Sequence, residues 1–177
     1  MEAIKKVILA VLLIPTFISI AALLLPAKYR VERSLGMRAE PNAIFAQVSV
    51  LAQWTNWTAW PAGSVAPQQL SFCGPESGAG ASCAWAGKST GHGVLKLTRA
   101  DPDRGVGYDL ELDHGKYVSK GAIEYFPAGD GMKVTWTIEG DFGWNPISRI
   151  FGLLMDKMLG PHLEEGLRNL KQKIEAN

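Results

Sequence analysis

Histidine and cysteine are scarce in this chain, with three and two among 177 residues. His92, His114 and His162 stand in no metal-binding spacing such as HExxH. Cys73 and Cys83 lack both a CxxC pattern and a neighbouring histidine, which argues against a structural zinc site. There is no GxSxG, no phosphate-binding loop and no dinucleotide fingerprint, so neither a cofactor nor a metal is expected. Charge of one sign is also missing: 18 basic residues face 17 acidic ones, and no Lys/Arg cluster interleaves with aromatics. Nucleic-acid binding is therefore not expected. No internal repeat and no low-complexity segment appears.

What is present begins with a long apolar run. Val7 to Leu25 is composed mostly of Val, Ile, Leu and Ala and carries no charge. At about 1.5 Å per residue, such a run nearly spans a bilayer core of ~30 Å. Pro15 is tolerable inside a membrane helix. A cleaved signal peptide shares the charged start and the apolar middle, but the run exceeds a usual signal core and Leu25-Pro26-Ala27 is a poor cleavage site. The expectation is a single-pass anchor over residues 1–27, followed by one domain over 28–177. Lys5 and Lys6 fit an inside N-terminus with the domain on the periplasmic or extracytoplasmic side; the basic residues between Lys28 and Arg38 argue the other way.

After the run, period-two alternation predicts strands and period-3.6 stripes predict helices. Lys28 to Met37 alternates with one wet face, interrupted on its apolar side by Arg33. Pro41 opens a helix carrying Ile44, Phe45, Val48 and Leu51, and a short helix or turn follows with Trp54 and Trp57. Six further strands are expected, within residues 68–72, 84–88, 93–99, 105–113, 117–126 and 132–139, the last four by their alternation, joined by Gly/Pro/Asp turns. Asn145 and Pro146 then start a helix expected to run to the C-terminus, with a bend at Gly160-Pro161. Its stripe includes Ile147, Ile150, Phe151, Leu154, Met155, Met158, Leu163, Leu167 and Leu170. Short turns imply an antiparallel sheet, and its apolar face needs that helix as a cover. The fold class is α+β: a curved antiparallel sheet in the order strand, two helices, six strands, helix, wrapped around a long C-terminal helix and preceded by one transmembrane helix.

This order resembles the START-like, helix-grip superfamily, also called SRPBCC, of polyketide cyclases, dehydrases and lipid-transport proteins. Short features resemble it too: Pro41 to Phe45 opening the first helix, Trp54-Thr-Asn-Trp57-Thr-Ala-Trp60-Pro61 after it, Gly80 to Trp85 entering a strand, and Gly160 to Lys171 in the final helix. The likeness covers about residues 28 to 175. It implies a cavity between sheet and helix for an apolar ligand such as a lipid, sterol or polyketide. The anchor departs from the freely diffusing members.

Alternation points Tyr108 and Trp136 to the inner face. Met155 and Met158 lie on the helix stripe, and Trp57 and Trp60 near a loop at the expected cavity mouth. His162, if it faces the cavity, could serve as a polar anchor or general base. Asp109, Glu111 and Asp113 alternate onto the opposite, solvated face. Cys73 and Cys83 flank a Gly-rich connection between two strands, so a paired hairpin would bring them within disulfide reach; two ordinary thiols are the alternative. The expected function is a membrane-anchored binding domain for a lipid or other apolar small molecule. The alternatives are a cyclase- or hydrolase-type enzyme, for which no catalytic constellation is visible, and a partner-binding domain with a filled core.

Overall fold

The structure, a computed structural model, describes residues 13, 21–58, 70–87 and 91–176. Most of the apolar run, Val7 included, and Trp60 lie outside the described residues. Among the described residues no helix is long and apolar enough to cross a membrane.

The chain opens with strand β1 (Lys28–Met37) and two short helices, α1 (Pro41–Val48) and α2 (Leu51–Trp54). Strands β2 (Leu70–Cys73), β3 (Ser82–Gly87), β4 (Gly91–Asp101), β5 (Gly105–Leu112), β6 (Tyr117–Ala128) and β7 (Gly131–Asp141) follow. Helices α3 (Pro146–Gly152) and α4 (Met155–Glu175) end it. All seven strands form one antiparallel sheet, ordered β1-β7-β6-β5-β4-β3-β2. Six strands meander, and β1 returns from the far end of the sequence order to pair with β7. A register shift between Leu97 and Arg99 marks a bulge in β4, a local twist that helps the sheet curl.

Alternation follows the pleat. Val31, Val134, Trp136, Ile138, Ile123, Tyr108 and Leu97 are all at most 2 % exposed on the inner face. Their ladder neighbours Lys96, Lys120, Lys133 and Glu139 face solvent. Asp109 pairs across the ladder with Lys96 and Lys120, on the outer face as alternation predicts. Close approach dictates glycine at Gly121: a Cβ there would stand 2.1 Å from Cζ of Tyr108, so the ring lies where a side chain would be.

The C-terminal stripe is not one helix. It breaks at Leu153 and Leu154, where the backbone N–H groups donate to the carbonyls of Ile150 and Phe151, three residues back rather than four. Gly160-Pro161, the expected interruption, stays within α4. The two halves serve different surroundings. Leu163, Leu167 and Leu170 are buried against the sheet, with Gly166 admitting the edge of Trp136. Ile147, Ile150, Phe151, Leu154 and Met158 are 40–66 % exposed. Only the second half covers the sheet; a sequence stripe marks an apolar face and does not say what covers it.

The cysteines are separate thiols. Cys73 pairs in register with Ser82, and Cys83 with Phe72. Directly opposed residues share a face and adjacent ones do not, so Cys73 and Cys83 point to opposite sides of the sheet. The hairpin forms as expected, but its register removes the disulfide geometry. Burial, and secondarily the neighbouring Cys73, push the Cys83 thiol up to about 11.

Candidate functional site

The centre of the inner face is filled. Trp54, Trp57, Tyr108 and Trp136 form an aromatic cluster with ring centroids 5.2–6.1 Å apart, mostly tilted or edge-on. Such pairs each add about 0.5–1.5 kcal/mol beyond area burial. Trp136 Nε1 donates to the Tyr108 hydroxyl at 2.8 Å, and burial raises the Tyr108 phenol well above its ordinary pKa. Tyr108 and Trp136 face inward as expected, but their polar atoms satisfy each other. Trp57, expected at a cavity mouth, is 1 % exposed within this cluster. Met155 packs half-buried against the core. Met158 and His162, expected to line the cavity, instead face solvent: the α4 surface turned to the sheet is the Leu163, Gly166, Leu167 and Leu170 face. His162 therefore has no access to a buried ligand in this arrangement.

The inner face opens at the end of the sheet where β7 leaves for α3. A cleft of about 190 Å³ lies there, walled by Tyr29, Tyr117 and Phe142 and floored by Ser119. Tyr29 stands opposite Gly140 in the ladder, and a Cβ on Gly140 would sit 2.7 Å from the Tyr29 ring. The missing side chain lets the phenol cross β7 and reach Ser119 on β6, with 2.7 Å between Oη and Oγ. Phe142 packs against the same ring, tilted by 31° with centroids 5.0 Å apart. Two hydroxyls sharing one hydrogen bond leave one O–H still able to donate. Burial raises the Tyr29 pKa and the Ser119 bond only partly offsets that, so the phenol stays neutral at physiological pH. The pair can hold an oxygen acceptor but is no general base. Lys116, Asp141, Asn145 and Ser148 form the polar rim. Asn145 is committed to capping α3, accepting from the backbone of Ile147 and Ser148, and Asp141 accepts from Gly143.

Tyr29 and Ser119 carry no signal in the sequence beyond their place on alternating strands. Their meeting depends on the β1–β7–β6 register, and the only advance hint is a glycine at the end of an otherwise apolar inner row in β7. Arg33, which interrupts the apolar side of β1, also finds its role only in three dimensions. Its guanidinium crosses to α4, donating to Asp156 at 2.7 and 3.0 Å and to Glu164 at 2.7 Å. Gly160, between those two carboxylates, makes the room: a Cβ there would lie 2.2 Å from Arg33 Nη2. The clamp fixes α4 along β1.

Comparison with known proteins agrees with this architecture. A family model described as polyketide cyclase / dehydrase and lipid transport matches residues 28–175. No curated protein matches the chain. Among solved structures, norcoclaurine synthase from Thalictrum flavum, in complex with dopamine and hydroxybenzaldehyde, superposes with a TM-score of 0.62 at 12% identity, over 85% of this chain and 88% of that one. Ara h 8.0201 gives 0.57 at 12% identity, over 85% and 99% of the two chains. Aha1 from Colwellia psychrerythraea gives 0.55 at 14% identity, over 82% and 96%. At such identities the likeness is one of fold.

Proposed function

Because the chain belongs to the polyketide cyclase / dehydrase and lipid transport family, within the START-like helix-grip superfamily, we propose that it binds an apolar small molecule or lipid chain at the open end of its inner face, tethered to a membrane by residues 7–25. The observation that carries this reading is the cleft over the Tyr29–Ser119 hydroxyl pair, in a molecule whose central space is occupied by its own aromatics. Size narrows the ligand. Drug-sized sites run about 300–1,000 Å³. The 190 Å³ here takes one ring or the end of one chain, not a whole lipid. The spare hydroxyl proton favours a ligand with an oxygen acceptor, such as a carbonyl, ester or carboxyl group, on an apolar body. The domain is assigned to the periplasmic or extracytoplasmic side, on the strength of Lys5 and Lys6 before the run; protease protection in sealed cells or vesicles checks that side.

Native mass spectrometry of the detergent-extracted full chain, with lipid extraction of the same sample, tests the binding. A bound apolar molecule of defined mass supports the reading. A bare protein mass, with no stabilisation by a panel of fatty acids, sterols and aromatic ketones, overturns it. Tyr29→Phe keeps the wall and removes the hydroxyl. Its expected effect is a roughly tenfold loss of affinity for the copurified molecule, the worth of one hydrogen bond of about 1–1.5 kcal/mol.

A further inference from the structure

From Trp144 to Met155 the chain carries a single charged residue, Arg149. That arginine is not on the outside. It is buried at 9 % exposure, donates Nε to the Gly143 carbonyl at 2.8 Å, and donates Nη1 to the carbonyls of Leu23 and Leu25. The residues that do face out are Ile147, Ile150, Phe151 and Leu154, at the three-and-four spacing of one helical stripe, with Trp144 82 % exposed before them. A helix washed by water carries charge on its outer face. This one carries none, and an exposed apolar stripe of this kind marks an interaction surface.

The position of the stripe identifies its partner. Leu23 and Leu25 are the last residues of the apolar N-terminal run, and Arg149 binds their carbonyls directly. The end of that run and α3 are therefore held within one side chain of each other. We propose that α3, with Trp144 before it and Leu153 and Leu154 after it, lies in the plane of the bilayer surface, its stripe sunk among the lipid acyl chains beside the N-terminal segment. The inference rests on the membrane tether proposed above. An amphipathic helix in this setting buries its apolar face about 5–10 Å into the headgroup boundary. Trp144 takes the headgroup level, where tryptophan is enriched. The cleft shares Asn145 and Ser148 with α3, so its mouth opens at the lipid surface, and a chain end can pass between bilayer and protein without crossing open water.

The test uses the full chain in vesicles of phosphatidylcholine and phosphatidylglycerol. An environment-sensitive fluorophore is placed, in a Cys73→Ser background, at Phe151→Cys, at Leu154→Cys and, as a solvent-facing control on α4, at Glu165→Cys. The buried Cys83 stays out of reach of the label. Expected are blue-shifted emission at the first two sites and a roughly twofold or greater quenching by lipids brominated near the top of the acyl chain, with the control unchanged, as shallow burial requires. Labels at 151 and 154 as wet as that at 165, on protein that floats with the vesicles, overturn the interfacial helix and leave the tether standing. Dry labels that brominated lipid does not quench overturn it in favour of contact with a second copy. Wild-type chain that fails to float overturns both the tether and this inference.

Discussion

Arg33 shows how one residue can decide the placement of a helix. A cation on the apolar side of a strand is costly unless paired, and here two carboxylates of α4 pair it, the side chain being 25 % exposed. The hydrogen bond from Arg33 holds the Asp156 carboxyl below the ordinary carboxylate range; desolvation opposes it, and the charge of the guanidinium adds a smaller lowering. A carboxyl lowered in the folded state contributes stability that is present above its unfolded pKa and lost as pH falls through its folded one. Acidification below about pH 4 should therefore weaken the fold, and Asp156→Asn should flatten that part of the pH dependence. Denaturant midpoints of wild type and variant at neutral pH and near pH 3 measure it: the gap between the two proteins narrows on acidification. If the gap is the same at both pH values, the clamp contributes nothing through Asp156.

Strands β1 and β4 to β7 are legible from alternation, because inner and outer residues keep a period of two except at the bulge between Leu97 and Arg99; β2 and β3 are legible only as short runs between turns. That rule places Tyr108 and Trp136 on the inner face, where both are buried. The helix stripe was legible as an apolar face but not as to what covers it. Core and membrane surface select the same residues, so Phe151 and Leu163 look alike in sequence and differ in the structure: 53 % against 2 % exposed. For the same reason the pattern suggests a cavity position for Met158 and His162, and it does not single out Tyr29, whose contact with Ser119 depends on register. The contrast within the stripe has an energetic form. Leu163→Ala should cost about 2–5 kcal/mol of folding stability, as for a buried leucine. Phe151→Ala should change it by no more than about 0.5 kcal/mol. Chemical denaturation of the full chain in mild detergent reads both; a large loss at Phe151 would place α3 in the core.

At the scale of the whole molecule, the core of the described residues is a single cluster running from Val31 to Leu170, yet its protection is uneven. β5, β6 and β7 are flanked by strands on both sides and carry the fully buried Val106, Ile123, Tyr125 and Val134. β2 lies at the sheet edge and has no fully buried residue. Amide hydrogen exchange should accordingly be slowest across β5 to β7 and fastest in β2, since local opening is easiest where few apolar contacts close it. Equal protection of β2 and β6 would mean the sheet opens only as a unit.

The pairing of β1 with β7 also sets an order in time. Arg30 and Glu139, joined across that pair, are 109 residues apart in the chain. In synthesis β1 must wait for β7 before it has a neighbour, and closing so long a loop slows folding. During that wait β1 is a bare edge, next in sequence to the segment proposed as the tether. A nascent chain of this protein is thus most vulnerable to mispairing just before β7 is made, and a truncation ahead of Gly131 would leave that vulnerability permanent.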